Sequence, residues 1–110
     1  MEPLTLKQLC ESLDISRRSV QCIENAGLLR PTDRNKYGHL LYDDLAVQRA
    51  RKIKFLQAMG FKLREIGLFI DAPEPVLKEA ISGKITQLEC DRERMEELIV
   101  QARDWLSRLG

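Results

Sequence analysis

A mainly α-helical chain, a winged helix-turn-helix followed by one long C-terminal dimerisation helix (an antiparallel coiled coil), is predicted by three observations. Two short amphipathic segments are separated by a three-residue turn. A basic, glycine-containing loop lies between two apolar clusters. The last third of the sequence carries an unbroken heptad pattern.

Taken in order, Thr5-Leu-Lys-Gln8 fits a capping box, in which the Thr5 hydroxyl and the Gln8 side chain satisfy orphan amides of a first turn. Leu6, Leu9 and Leu13 then repeat at helical spacing and predict a helix over about 6–13. Asp14-Ile15 makes a tight turn and Ser16 caps a second helix, which runs to Ala26 and stops at the left-handed Gly27. Pro31 ends regular structure. Residues 30–42 then carry Arg30, Arg34, Lys36, Tyr37, Gly38, His39 and Tyr42 between Leu28-Leu29 and Leu40-Leu41, and read as a small β-hairpin, or wing. Asp43 or Asp44 caps a third helix to Met59, with Ile53, Leu56 and Met59 inward and Gly60 as its stop. Leu63, Ile66, Phe69 and Ile70 form a short fourth helix.

Asp71-Ala-Pro-Glu-Pro75 is the only linker-like stretch, with Pro75 suited to the first helical position. The expected organisation is therefore a winged helix-turn-helix over 1–70, a linker over 71–75 and a coiled-coil dimerisation helix over 76–110. Its heptad places Ile85, Arg92, Ile99 and Leu106 at a, and Leu88, Met95, Ala102 and Leu109 at d. Such a helix is about 50 Å long, too long for four short helices to cover, so a homodimer is expected. Arg92 at an a position fits an antiparallel pair, where it can meet Glu89 or Glu96 of the other copy. Gly83 weakens the start of the helix and permits a bend there.

Composition narrows the function. With 44% hydrophobic and 32% charged residues the chain is expected to fold rather than remain disordered, and 5% aromatic residues argue against a ring-lined ligand cavity. The net charge of +1 hides an asymmetry. Residues 1–70 carry 12 Lys/Arg against 8 Asp/Glu, whereas 71–110 carry 6 against 9, which suggests an anion-binding body with a separate helical appendage. Cys10, Cys22 and Cys90 are odd in number and scattered, which is neither a disulfide framework nor a zinc pattern and points to a reducing compartment. No charged-then-apolar leader and no apolar run near 18 residues is present, so a cytoplasmic location without membrane contact is expected. One histidine and scattered carboxylates offer no paired acid–base site, so neither an enzyme nor a cofactor is expected.

Placed at 100° steps, the second helix turns Val20, Ile23 and Ala26 inward and Arg17, Arg18, Gln21, Glu24 and Asn25 outward, with Gln21 near the centre and Cys22 at the margin. That is the layout of a helix that reads DNA. Guanidinium groups meet phosphates or guanine edges, and a central Gln can pair with adenine N6 and N7. The candidate double-stranded DNA contacts are Ser16, Arg17, Arg18, Gln21 and Asn25 on the helix, and Arg34, Lys36, Tyr37, His39 and Tyr42 on the wing. His39 reads as a neutral hydrogen-bonding group, Cys22 as a half-buried filler, Cys10 as core, Cys90 as an exposed thiol at f, and Trp105 as packing on a partner subunit.

The ordered series DISRRSVQCIENAGLLRP, RNKYGHLLY, QAMGFKLREIGLFI and a terminal coiled-coil helix resembles the MerR family of bacterial transcription regulators over the whole chain. Ile15, Ser16, Arg18, Ser19, Val20, Glu24, Gly27 and Leu28 fit the family pattern in the second helix. Gln21 replaces an Arg, and Cys22 and Ile23 replace two Tyr. In the wing Arg34, Gly38 and Tyr42 match, while His39 stands for Tyr and Leu40 for Arg. The resemblance implies a dimer that binds a palindromic promoter and distorts an over-long spacer, so that RNA polymerase engages when an effector is present. The effector is unidentified. No domain is expected beyond Gly110, and no metal site is carried over, because Cys90 lies inside the helix. Two alternatives stay open: a regulatory module that keeps the fold but binds a protein through its altered second helix and wing, and an architectural DNA-bending protein of the excisionase kind, which needs no long arm.

Overall fold

Capping residues decide where the helices begin. In the computed structural model, which describes residues 2–110, α1 (Leu6–Leu13) starts at Thr5, whose Oγ1 accepts from the Gln8 amide at 3.2 Å while Gln8 Oε1 accepts from the Thr5 amide at 2.9 Å. Asp14 then turns the chain with φ 53°, a left-handed conformation that a short polar side chain tolerates. Ser16 caps α2 (Arg17–Asn25) by accepting from the Ser19 amide at 3.0 Å. Of the two candidate aspartates, Asp43 is the cap of α3 (Asp44–Ala58), accepting from the Ala46 amide at 2.8 Å. The short α4 (Leu63–Phe69) follows, with Glu65 accepting from the Lys62 amide.

Between α2 and α3 lie β2 (Asp33–Arg34) and β3 (Leu40–Tyr42), the expected hairpin. A strand absent from the sequence reading joins it. Leu4–Thr5, here β1, pairs antiparallel with β3 in the register Leu4↔Tyr42 and Thr5↔Leu41, so β3 is the centre of a three-stranded sheet in the order β1-β3-β2. Thr5 is thus both the end of a strand and the cap of α1, which ties the first helix to the wing.

The structure divides into two units, residues up to Asp71 and Ala72–Gly110. The first holds the core. Leu9, Val20, Ile23, Tyr42, Ile53, Leu56 and Ile66 are essentially inaccessible, each worth about 1.5–3 kcal/mol relative to exposure if treated as a fully buried apolar side chain. Val47 and Ala50 also face inward on α3, whereas Met59, expected inward, is only half-buried at the helix cap. Two side chains from α3 bind the framework at its margins. Lys54 donates to the carbonyls of Leu13 and Asp14 at the end of α1, and Arg49 donates to the Leu28 carbonyl and, through both guanidinium nitrogens, to Asp71 at 2.7 and 2.9 Å.

The second unit is one helix, α5 (Glu74–Leu109), 36 residues long and continuous through Gly83. It starts two residues before the expected position 76, with Pro73 at the cap and Pro75 inside the first turn, where no intrahelical amide bond is lost. None of its residues is buried.

Candidate nucleic-acid interface

The capped start of α2 fixes which side chains face out. Val20 and Ile23 are 1% exposed, so Arg17, Arg18, Gln21 and Asn25 are turned to solvent together. Ser16 is also exposed, but its hydroxyl is committed to the cap, accepting from the Ser19 amide and donating to Ser19 Oγ at 2.9 Å. Among the described residues, neither Arg17 nor Arg18 has a hydrogen-bond or ion-pair partner, and the ion pairs Arg49–Asp71, Lys78–Glu74 and Arg108–Asp104 lie elsewhere.

Three positions differ from the helical-wheel expectation. Cys22 is exposed rather than half-buried, and Ala26 is exposed because the helix ends at that residue. Glu24, expected among the outward polar residues, is half-buried and accepts a hydrogen bond from the Tyr42 hydroxyl. Cys10 is partly exposed, and Cys90 is exposed as expected for an f position.

The wing is organised by Asn35. Its Oδ1 accepts from the amides of Tyr37 and His39 at 2.9 and 3.0 Å, while its own carbonyl accepts from the Gly38 amide. Gly38 has φ 81° with open space where a Cβ would lie, so glycine is required by the backbone rather than by crowding. Arg34 donates from a guanidinium nitrogen to the Gly38 carbonyl at 2.9 Å and braces the turn. Lys36 lies 5.1 Å from the centre of the Tyr37 ring, and Tyr37 is 72% exposed. Lys36, Tyr37 and His39 therefore form an exposed polar edge on the same unit as the α2 face.

Tyr42 requires a correction. Predicted as a wing contact, it is 0% exposed and belongs to the core. Alternation along β3 turns it inward, and its hydroxyl remains satisfied by Glu24. Burial, and then the Glu24 carboxylate, push the phenol above its ordinary value of 10.0, so it stays protonated and donates. Tyr42 thus links the wing strand to α2 from behind and presents nothing to a ligand.

On α5 the predicted stripe is uncovered. Ile85, Leu88, Met95, Ile99, Leu106 and Leu109 are between 42% and 77% exposed, and Arg92 and Ala102 are exposed beside them. Leu98 and Trp105, at g positions the heptad reading did not include, widen the stripe and line one shallow groove with Ala102, Leu106 and Leu109. Among the described residues no group of three or more His, Cys, Asp or Glu is placed to hold a metal ion, and no helix is long and apolar enough to cross a membrane.

Comparison with known proteins matches residues 4–72 to the family described as MerR HTH family regulatory proteins. The HTH-type transcriptional activator mta of Bacillus subtilis is 32% identical over 94 residues, which are 86% of this chain and 37% of that activator. The chain thus spans little more than a third of that relative's length. The crystal structure of MtaN, the N-terminus of the Bacillus subtilis multidrug transporter activator, superposes with a TM-score of 0.74 at 30% identity, covering 94% of this chain and 97% of the other. HiNmlR, a MerR family regulator lacking the sensor domain and solved bound to promoter DNA, shares the fold with a TM-score of 0.72 at 18% identity, over 88% of this chain and 78% of its own. These relatives are transcription regulators, not enzymes.

Proposed function

This chain belongs to the MerR HTH family of regulatory proteins, and from that premise we propose that it is a homodimeric, cytoplasmic transcription regulator that binds palindromic double-stranded promoter DNA. The observation that carries the reading is the outward face of α2. Arg17, Arg18, Gln21 and Asn25 are exposed together, and the two arginines have no partner within the described residues. An unpaired guanidinium pair is suited to phosphate or guanine, and Gln21 between two helical turns is suited to an adenine edge. Lys36, Tyr37 and His39 of the wing supply backbone contacts beside it, and Arg34 holds the wing turn while keeping an exposed guanidinium.

The dimer follows from α5. Ten of the fourteen exposed large hydrophobic side chains among the described residues lie on this one helix, eight of them at a, d or g, and a second copy of the same stripe covers those eight. An antiparallel arrangement sets Arg92 against Glu89 or Glu96 of the other copy. A two-fold pair presents α2 twice, so a duplex meets both copies only where its sequence repeats with the same symmetry. Where the half-sites are not spaced for relaxed DNA, binding twists or bends the spacer at a cost of about 1–6 kcal/mol. That deformation re-aligns the promoter elements on either side for RNA polymerase.

Mobility-shift titrations of the full chain on its own upstream promoter DNA test the reading. Affinity is expected to fall steeply and log-linearly with salt, and the R17A/R18A double variant to lose most of it. Absence of salt-sensitive binding overturns the DNA reading. Sedimentation as a monomer at tens of micromolar overturns the dimer.

A further inference from the structure

Beside the α2 face lies a groove walled by three elements that are distant in sequence. Lys7 comes from the first turn of α1, Arg17 from the first turn of α2, and Gly38 and His39 from the exit of the wing, and Thr5, Leu6 and Leu40 complete the lining. No carboxylate lines it. Lys7 and Arg17 are exposed, and neither has a hydrogen bond or ion pair within the described residues. Other basic side chains of this unit are spent on the fold, Arg49 on Asp71 and Lys54 on the end of α1. Two like charges held at one cavity repel each other, and that repulsion is relieved by an anion placed between them.

We infer that this groove holds a phosphodiester of the DNA backbone, and that Lys7, which the helix-turn-helix pattern does not point to, is a phosphate-binding residue. The inference rests on the DNA-binding reading above and extends the interface from α2 and the wing to the start of α1. The groove is pre-formed. The Asn35 hydrogen bonds fix the backbone at His39, the Arg34 bond fixes the Gly38 carbonyl, and the β1–β3 pairing fixes Thr5 and hence the first turn of α1. A phosphate there touches α1, α2 and the wing at once, so it sets how deeply α2 enters the groove of the duplex. Such a contact positions the protein without reading a base.

The test is the salt dependence of binding to a random-sequence duplex, followed by fluorescence anisotropy with the full chain. Each phosphate neutralised contributes about 0.9 to the slope of log affinity against log salt. Two copies of Lys7 therefore predict that K7Q flattens the slope by about 1.8 and weakens binding across all sequences alike. K7R is expected to restore the slope. K78Q, which removes the same charge from α5, is expected to leave it unchanged. Because the Lys7 side chain makes no hydrogen bond or ion pair within the described residues, thermal melts of K7Q are expected to match the parent.

An unchanged slope in K7Q, with R17A/R18A still flattening it, overturns the Lys7 inference and leaves the DNA-binding reading intact. Failure of the parent chain to bind any duplex overturns both. Inorganic phosphate provides the remaining arm, read by amide chemical shifts at Lys7 and His39. If it saturates the groove while K7Q leaves the duplex slope unchanged, the groove is a small-anion site and the inference is overturned.

Discussion

The unit ending at Asp71 and the helix α5 carry similar apolar side chains and dispose of them in opposite ways. In the first, fifteen hydrophobic residues among those described are 8% exposed or less. In the second, none is buried, and Trp105, Leu106 and Leu109 are at least 66% exposed. The lesson concerns where stability resides. The first unit buries its own apolar surface, so its folding is intramolecular. A lone helix gains little from propensity alone, because tertiary packing supplies most helical stability. The stability of α5 is therefore expected to depend on a second copy, and on concentration.

The sharpest way to break this contrast is a charge in the stripe. I99E places a carboxylate in both copies of the seam, and an uncompensated buried charge costs about 3–5 kcal/mol. Dimerisation is expected to weaken by more than about 100-fold, giving a monomer by sedimentation with reduced helical signal. The transition of the first unit is expected to persist at the same temperature. In the opposite direction, I53A removes a 0% exposed core side chain and is expected to cost about 2–5 kcal/mol. That loss is read as a lower thermal midpoint that does not change with protein concentration.

A smaller effect is expected from Y42F, which keeps the core volume and removes the bond to Glu24. The loss is about 1–2 kcal/mol at neutral pH. It has a pH signature, because the native phenol is held above its ordinary value of 10.0. Below that value the folded and unfolded chains both keep the proton, and the contribution is complete. Above it the unfolded chain ionises first, and the contribution is lost as pH rises. Denaturant melts of parent and Y42F are therefore expected to converge above about pH 10. The smallest effect is that of D71N. Arg49, first through its hydrogen bonds, holds the Asp71 carboxyl below its ordinary 3.8. Its contribution is present above that value and disappears as pH falls through the lower folded one. A modest gap between parent and D71N is expected at neutral pH, closing as acid protonates the carboxyl.

Legibility followed the range of the interactions. Ser16, Thr5 and Gln8 announce their helices because a cap is satisfied within three residues. Val20 and Ile23 were readable because helical periodicity assigns a face. The same wheel misplaced Glu24 and Ala26, since it knows neither that β3 brings a hydroxyl to Glu24 nor that the helix ends at Ala26. In the candidate interface Arg17, Arg18, Gln21 and Asn25 were found from the pattern of one helix. Tyr42 was assigned to the surface by its place in a basic loop, because a strand of three residues gives too short an alternation to show which way it points. Lys7 carried no signal at all. Its only distinction is its place beside Arg17 and His39, which lie 10 and 32 positions away in the chain.

By itself the sequence determined what depends on neighbours along the chain: the caps and stops of the helices, the inward face of α2, the wing turn that needs Gly38, and the heptad stripe on α5. Each is a matter of contacts within one or two helical turns or one tight turn, and residue type at fixed spacing specifies those. Tertiary structure alone decided the pairing of β1 with β3, the burial of Tyr42 against Glu24, the Arg49–Asp71 pair and the groove holding Lys7, Arg17 and His39. These join residues far apart in sequence, and only the closure of the core brings such groups within hydrogen-bonding or charge range. Spacing along a chain does not encode that distance.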